Sequence, residues 1–214
     1  MERVGARSRA TRQRLLEAAL EVFARDGFRG ATIERICRRA GANIAAAHYH
    51  FGDKQRLYAA VFEHAERAAQ ADRSGDSAQA GTPSQRLHAH VAAFLRRLLD
   101  PGRPAWMAQL LAHELIDPTP ALDRLVRRRM RANHEQIGGI IRELAPDAPA
   151  DAVRRATLSV IAQCVFYRNS AAFVSRLYPD LEPSREIDRI ADHVTQFSLA
   201  GIRTLGKRAA GSRA

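Results

Sequence analysis

The chain has 214 residues, 46% hydrophobic and 27% charged, enough apolar material for one large domain or two small ones and too much for a disordered chain. Its 34 basic residues exceed the 23 acidic ones by eleven, a surplus that suits a polyanionic partner, nucleic acid first. Two cysteines, Cys37 and Cys164, allow neither a disulfide framework nor a Cys-pair metal site, and no apolar run reaches the length of a membrane helix. The arginine-rich start lacks the apolar core of a secretory signal, so a soluble protein of the reducing cytoplasm is expected.

In chain order, nearly every segment reads as helix, and no strand alternation or Asn-Gly hairpin signal occurs. From about Ala10 to Asp26, Leu16, Ala19, Leu20 and Phe23 recur every three or four residues, and Gly27 supplies the left-handed stop. Thr32 caps a short second helix over 32–40 that ends at Gly41; Asn43 caps a third from Ile44 to about Phe51. Gly52 breaks that helix, and Asp53 caps a fourth carrying Leu57, Tyr58, Val61 and Phe62. Residues 72–84 are small and polar, the composition of a connector. Longer helices follow at about 84–100, 104–117, 119–145, 149–178 and 184–208, with prolines at the junctions. The expected class is all-α: a three- or four-helix head at 8–68, a linker at 69–84 and a larger helical domain at 85–208.

Two short helices joined by a tight turn at Gly41 make a helix-turn-helix over about 31–50, in which the second helix enters the major groove. An ordinary helical hairpin is the plainer reading. Tyr49, His50 and Lys54, crowded at the second helix's end where a docked helix meets phosphates, favour the DNA reader. Bulk charge does not locate the face, because residues 1–71 carry a surplus of five basic groups and the rest of the chain a surplus of six. One cluster stands out: Arg3, Arg7, Arg9, Arg12 and Arg14, either a solvated tail or an arm for the minor groove.

Residues 10–64 resemble the DNA-binding head of the TetR family of bacterial regulators. The likeness runs through Phe23-Ala24-Arg25-Asp26-Gly27-Phe28, Thr32-Ile33-Glu34-Arg35-Ile36 and Ala40-Gly41. It ends in Tyr49-His50-Phe51-Gly52-Asp53-Lys54-Gln55-Arg56-Leu57, which is similar to the family's aromatic-His-Phe…Lys…Leu signature. His113-Glu114-Leu115-Ile116-Asp117-Pro118-Thr119-Pro120 and Phe166-Tyr167-Arg168 resemble the C-terminal domain of the CecR-like subgroup.

The resemblance implies that Thr32 offers its hydroxyl and a helix N-terminus to a phosphate, that Tyr49 and His50 touch phosphate oxygens, and that Lys54 neutralises one. A packing role competes for His50, and a solvated first-turn role for Lys54. Base reading is less plain. Ile44-Ala45-Ala46-Ala47 holds no Arg, Gln or Asn after the Asn43 cap, so bidentate contacts are unavailable there, whereas Ile44 suits a thymine methyl. His48, standing where the family often has tyrosine, could donate to a base or phosphate, and Arg35 and Arg38 are alternative base readers. The expected DNA-facing set is therefore Thr32, Arg35, Asn43, Ile44, Ala45, Ala46, His48, Tyr49, His50 and Lys54. Cys37 reads as core rather than as a redox sensor.

A single head reads few base pairs, so a homodimer on an inverted repeat is expected, paired in TetR-like fashion through helices at roughly 151–175 and 185–205. Leu158, Ile161 and Val165 on one, with Ile187, Ile190, Val194, Phe197 and Leu199 on the other, serve either the core or the partner. The resemblance also implies a small apolar or amphipathic effector that releases a repressor from its operator. Trp106, Met107, Leu110, His113, Met130, His134, Gln163, Phe166 and Tyr167 are the candidate pocket residues, with plain core packing the competing reading for each. No cofactor, metal or membrane partner is expected. A helical-bundle enzyme finds no paired Glu-x-x-His, no HExxH and no phosphate loop. A ligand-independent or architectural DNA-binding regulator with the same head is the rival reading.

Overall fold

The computed structural model describes residues 2–70, 80–99 and 106–205; most of the expected connector, Arg3's side chain and the chain beyond 205 lie outside the described part. Among the described residues there is no strand. The helices are α1 (Glu2–Gly30), α2 (Ile33–Ala40), α3 (Ile44–Phe51), α4 (Lys54–Gln70), α5 (Pro83–Leu99), α6 (Trp106–Ile116), α7 (Pro120–Leu125), α8 (Arg131–Leu144), α9 (Ala150–Asn169), α10 (Ala171–Leu177) and α11 (Ile187–Ile202). A π-helical turn, Val126–Met130, joins α7 to α8. The 119–145 segment is thus helical from Pro120 to Leu144 with a π-helical stretch inside it, whereas the 149–178 segment is interrupted at Ser170.

The chain folds as two compact units, residues 1–75 with 104–127, and residues 76–103 with 128–214. Compactness therefore cuts across a linear division at 69–84, because α6 and α7 belong to the first unit.

In the first unit, Leu15, Leu16, Phe23, Ile36, Leu57, Tyr58, Val61 and Leu110 are buried together with an aromatic stack. Tyr58 is its hub, with ring centroids 4.7 Å from Phe23, 5.1 Å from Phe28 and 5.1 Å from Phe62. The α1 helix begins at Glu2, well before Ala10, because its arginines and alanines are good helix formers. It is interrupted at Gly27, where φ is +69° and a β-carbon would lie 2.9 Å from His113 Nδ1. Glycine is required twice over there, by the backbone and by the ring against it. His113 Nε2, in turn, donates to the Ala24 carbonyl at 3.0 Å.

Next along α6, Glu114 is only 1% exposed and accepts from the Thr119 amide at 2.8 Å and its hydroxyl at 2.7 Å. Thr119 Oγ1 also accepts from the Ala121 amide and so caps α7, whose first residue is Pro120. Burial and the nearby Glu114 carboxylate push the Tyr58 phenol up. Arg29 makes a two-pronged ion pair with Asp117, both contacts at 2.6 Å.

The second unit closes on Leu87, Val91, Leu95, Ile137, Ile141, Val153, Val160, Cys164, Ile190 and Val194, contributed by α5, α8, α9 and α11. Ion pairs Arg96–Asp188 and Arg86–Glu143 tie α5 to α11 and α8. Burial pushes the Cys164 thiol up to about 12, so it is a packing group.

Candidate nucleic-acid interface

The expected helix-turn-helix is built on two side-chain caps. Thr32 Oγ1 accepts from the Arg35 amide at 3.2 Å to start α2, and Asn43 Oδ1 accepts from the Ala46 amide at 2.7 Å to start α3. Between them Gly41, at φ +59°, closes α2 with its amide on the Arg38 and Cys37 carbonyls. Cys37 is buried under this turn, its thiol directed at the Asn43 carbonyl and its acidity suppressed by burial. Asp53 Oδ1 accepts from the Arg56 amide at 2.7 Å and starts α4.

This scaffold fixes which face of α3 is free. Ala47 and Phe51, four residues apart, are buried, with Phe51's ring lying under the Arg12 guanidinium at 5.1 Å. The opposite stripe, Ile44, Ala45, His48 and Tyr49, points outward, with Ile44 43% and Tyr49 82% exposed. Ala46 and His50 flank it, half-buried; the His50 ring sits edge-on to Tyr49 and to Phe51. That geometry serves packing and surface contact at once. The α3 segment is open to a partner along its whole length.

The flanking charges differ in how far they are committed. Arg35 pairs with Asp26 at 3.0 Å, and Arg25 holds the same carboxylate, pulling it below the usual carboxylate range. Arg39 pairs with Glu21, whereas Arg38 is exposed with no acidic partner among the described residues. Lys54 is half-buried: its ammonium sits 4.6 Å over the Phe28 ring and donates to the Arg29 carbonyl at 3.4 Å. Burial lowers its pKa. Of its three donors this spends one, leaving others for an oxygen from outside. Arg7, Arg9, Arg12 and Arg14 belong to the first half of α1 as exposed side chains, so these four ride on a helix and not on a loose tail.

Two contacts were not readable in the chain. Arg12 over Phe51 joins α1 to α3 across 39 residues of sequence, and no local pattern signals it. His48 Nδ1 lies 2.6 Å from the Gly52 carbonyl, so this ring is oriented by the backbone at the end of its own helix.

The candidate pocket residues divide between the units. Trp106, Leu110 and His113 are in the first, where Leu110 is fully buried and His113 is bonded to Ala24. Met130, His134, Gln163, Phe166 and Tyr167 are in the second, where Phe166 is exposed and Gln163 donates to the Ser159 carbonyl and Ser198 hydroxyl. Met107 lies on α6, its side chain outside the described part. The apolar residues of α9 and α11 are also sorted: Ile190 and Val194 are buried, whereas Leu158, Phe166 and Phe197 are exposed. Between these two helices runs a groove of about 550 Å³, lined by Ala152, Ala156, Val160, Gly201 and Ile202 among others.

Comparison with known proteins agrees with this geometry. Residues 15–61 match the family described as bacterial regulatory proteins, tetR family, and residues 83–202 match the C-terminal domain of the HTH-type transcriptional dual regulator CecR. The chain is 26% identical over 201 residues to the HTH-type transcriptional repressor NicS of Pseudomonas putida, covering 90% of this chain and 92% of that one. It is 28% identical over 124 residues to the HTH-type transcriptional regulator BetI of Brucella canis, a match covering 57% of this chain and spanning 63% of the BetI length. A solved transcriptional regulator from Rhodococcus superposes with a TM-score of 0.61 at 21% identity, over 89% of this chain and 96% of that one, a likeness of fold. No helix among the described residues is long and apolar enough to cross a membrane.

Proposed function

The chain belongs to the TetR family of bacterial regulators, with a CecR-type C-terminal domain, and we propose that it acts as a homodimeric repressor on an inverted-repeat operator. As a family member it is a DNA-binding transcriptional regulator and not an enzyme. The observation that supports the finer reading is the outward stripe of α3, presented by two side-chain caps and flanked by Tyr49, Lys54, Arg38 and the α1 arginines. In this reading residues 8–68 form the DNA-binding domain. Thr32, Tyr49, His50 and Lys54 contact phosphates, Asn43 to Ala46 and His48 meet the bases, and Arg35 is available only if it leaves Asp26.

Dimerisation is assigned to residues 85–208, through α9 and α11. Exposed Leu158, Phe166 and Phe197, the last at a groove of mixed small apolar and polar residues, are what an uncovered protein interface contains. NicS, a relative aligned along nearly the whole chain, is a repressor, and this favours the same direction of control. A small apolar or amphipathic effector relieves repression by binding the DNA-free form better; swinging the equilibrium from 1:99 to 99:1 needs about 5.5 kcal/mol of such preference. Within the second unit Met130, His134, Gln163 and Tyr167, all half-buried, are the candidates to meet it.

The test is titration of the purified protein with the intergenic DNA beside its gene, by fluorescence anisotropy at several salt concentrations. Two protomers binding an inverted repeat, with log affinity falling steeply against log salt, is the expected result. Affinity indifferent to both sequence and salt would end the reading.

A further inference from the structure

Within the outward stripe of α3, Ile44 and Ala45 carry no hydrogen-bonding group, and Tyr49 stands furthest into solvent. His48 is the polar member whose ring is held by the protein itself. Its Nδ1 lies 2.6 Å from the Gly52 carbonyl oxygen, and the Gly52 amide donates back to the His48 carbonyl at 2.8 Å. A carbonyl oxygen can only accept, so Nδ1 carries the hydrogen. In the neutral tautomer this leaves the lone pair at Nε2, on the far side of the ring from Gly52.

This fixes the chemistry that His48 offers a duplex. Phosphate oxygens, guanine O6 and N7, adenine N7 and thymine O4 are all acceptors and give a neutral Nε2 nothing to bind. The major groove holds two donors, the exocyclic amino groups of adenine (N6) and cytosine (N4). Resting on the reading that α3 enters the major groove, we propose that His48 is the specificity-determining residue of the stripe. Its neutral imidazole, clamped to Gly52, accepts a hydrogen bond from the amino group of one adenine or cytosine in each half-site. Tyr49, whose hydroxyl can donate, and Lys54, which only donates, are left for the phosphates. The division of labour follows from donor and acceptor type, and it reverses the simpler expectation that His48 donates.

The experiment deletes the amino group and not the base. A duplex selected from random DNA by the full-length protein is resynthesised with purine in place of adenine, or 2-pyrimidinone in place of cytosine, one position at a time. Binding is measured at pH 8.5 for the native protein and for His48→Phe and His48→Ala. One position per half-site should cost the native protein about tenfold in affinity and cost either variant less than about twofold, a coupling that weakened base pairing alone cannot give. His48→Phe should itself bind the selected duplex about tenfold more weakly than the native protein and keep the native helix content, since the ring is exposed. If native and variant proteins lose the same factor at every position, the amino-group assignment is overturned. It is equally overturned if a neutral methylphosphonate linkage, and no base change, is what couples to His48. A native protein that selects no sequence at all would instead remove the DNA reading beneath it.

Discussion

Two helical faces of this chain leave large apolar groups in water, and their surroundings separate them. On α3, Ile44 and Tyr49 sit on one narrow stripe of an eight-residue helix, interleaved with His48 and bounded by Lys54 and Arg38. On α9 and α11, Leu158, Phe166 and Phe197 are exposed, and the groove beside Phe197 sets Ala152, Ala156, Val160, Gly201 and Ile202 among polar Asp151, Arg155, Ser159, Gln163 and Ser198. The first face is too small to drive association by burial and is equipped with directional polar groups. The second spreads its exposed apolar groups over two long helices, with polar groups among them. Exposure of apolar side chains thus points to two different partners, and the polar atoms around them decide which is which.

The strongest way to break this contrast is to put a charge in the second face. Phe197, 67% exposed, can become aspartate without disturbing the core of its unit, so Phe197→Asp should keep the native helix content and melting behaviour. If α9 and α11 pair with a second copy, burying an unpaired carboxylate there costs several kcal/mol, so the dimer dissociation constant should rise by about 100-fold or more. Sedimentation equilibrium would show it. Affinity for a full inverted repeat should fall with it, while affinity for a single half-site should not. A variant that stays dimeric would move the interface elsewhere.

The contrast sharpens at the other face with Tyr49→Ala and Lys54→Ala. Each should weaken binding by about tenfold for every sequence alike, and Lys54→Ala should also reduce the salt slope by about one. Lys54 needs a control, because its ammonium lies over Phe28 and donates to the Arg29 carbonyl. Lys54→Met keeps most of the stem packing. If it restores stability and not affinity, the charge acts on DNA; if it restores both, Lys54 is a tie between α4 and the end of α1.

How much of this the chain announced depends on the range of the interaction. The starts of α2, α3 and α4 were legible at Thr32, Asn43 and Asp53, because a cap is a contact between residues three apart. Gly41 was legible as the left-handed stop of α2, whereas Gly27, also at positive φ, kinks α1 and does not end it, since helix resumes to Gly30. The membership of α6 and α7 in the first unit was not. It rests on His113 to Ala24 and Asp117 to Arg29, partners 89 and 88 residues apart in sequence that no local pattern encodes. Nor could periodicity distinguish Phe197, which is exposed, from Val194, which is buried one turn earlier on the same helix. On α3, residue identity pointed to His48, but the seating of its ring against the Gly52 carbonyl was not legible.

The smallest expected effect separates fold from function at a single atom position. Asn43 caps α3 through Oδ1, a role aspartate fills as well, and a carboxylate there also complements the positive end of the helix dipole. Asn43→Asp should therefore leave the melting temperature unchanged or raise it slightly. The same carboxylate would face phosphates if the start of α3 lies against the duplex, so operator affinity should fall about three- to tenfold at low salt. That loss should shrink as salt screens it, since it is repulsion and not a missing contact. Asn43→Ser keeps a capping oxygen without the charge and should bind nearly as the native protein does. A carboxylate at Asn43 that costs nothing at low salt would place the start of α3 away from the phosphates, and the α3 stripe would then have to meet DNA by its Tyr49 end alone.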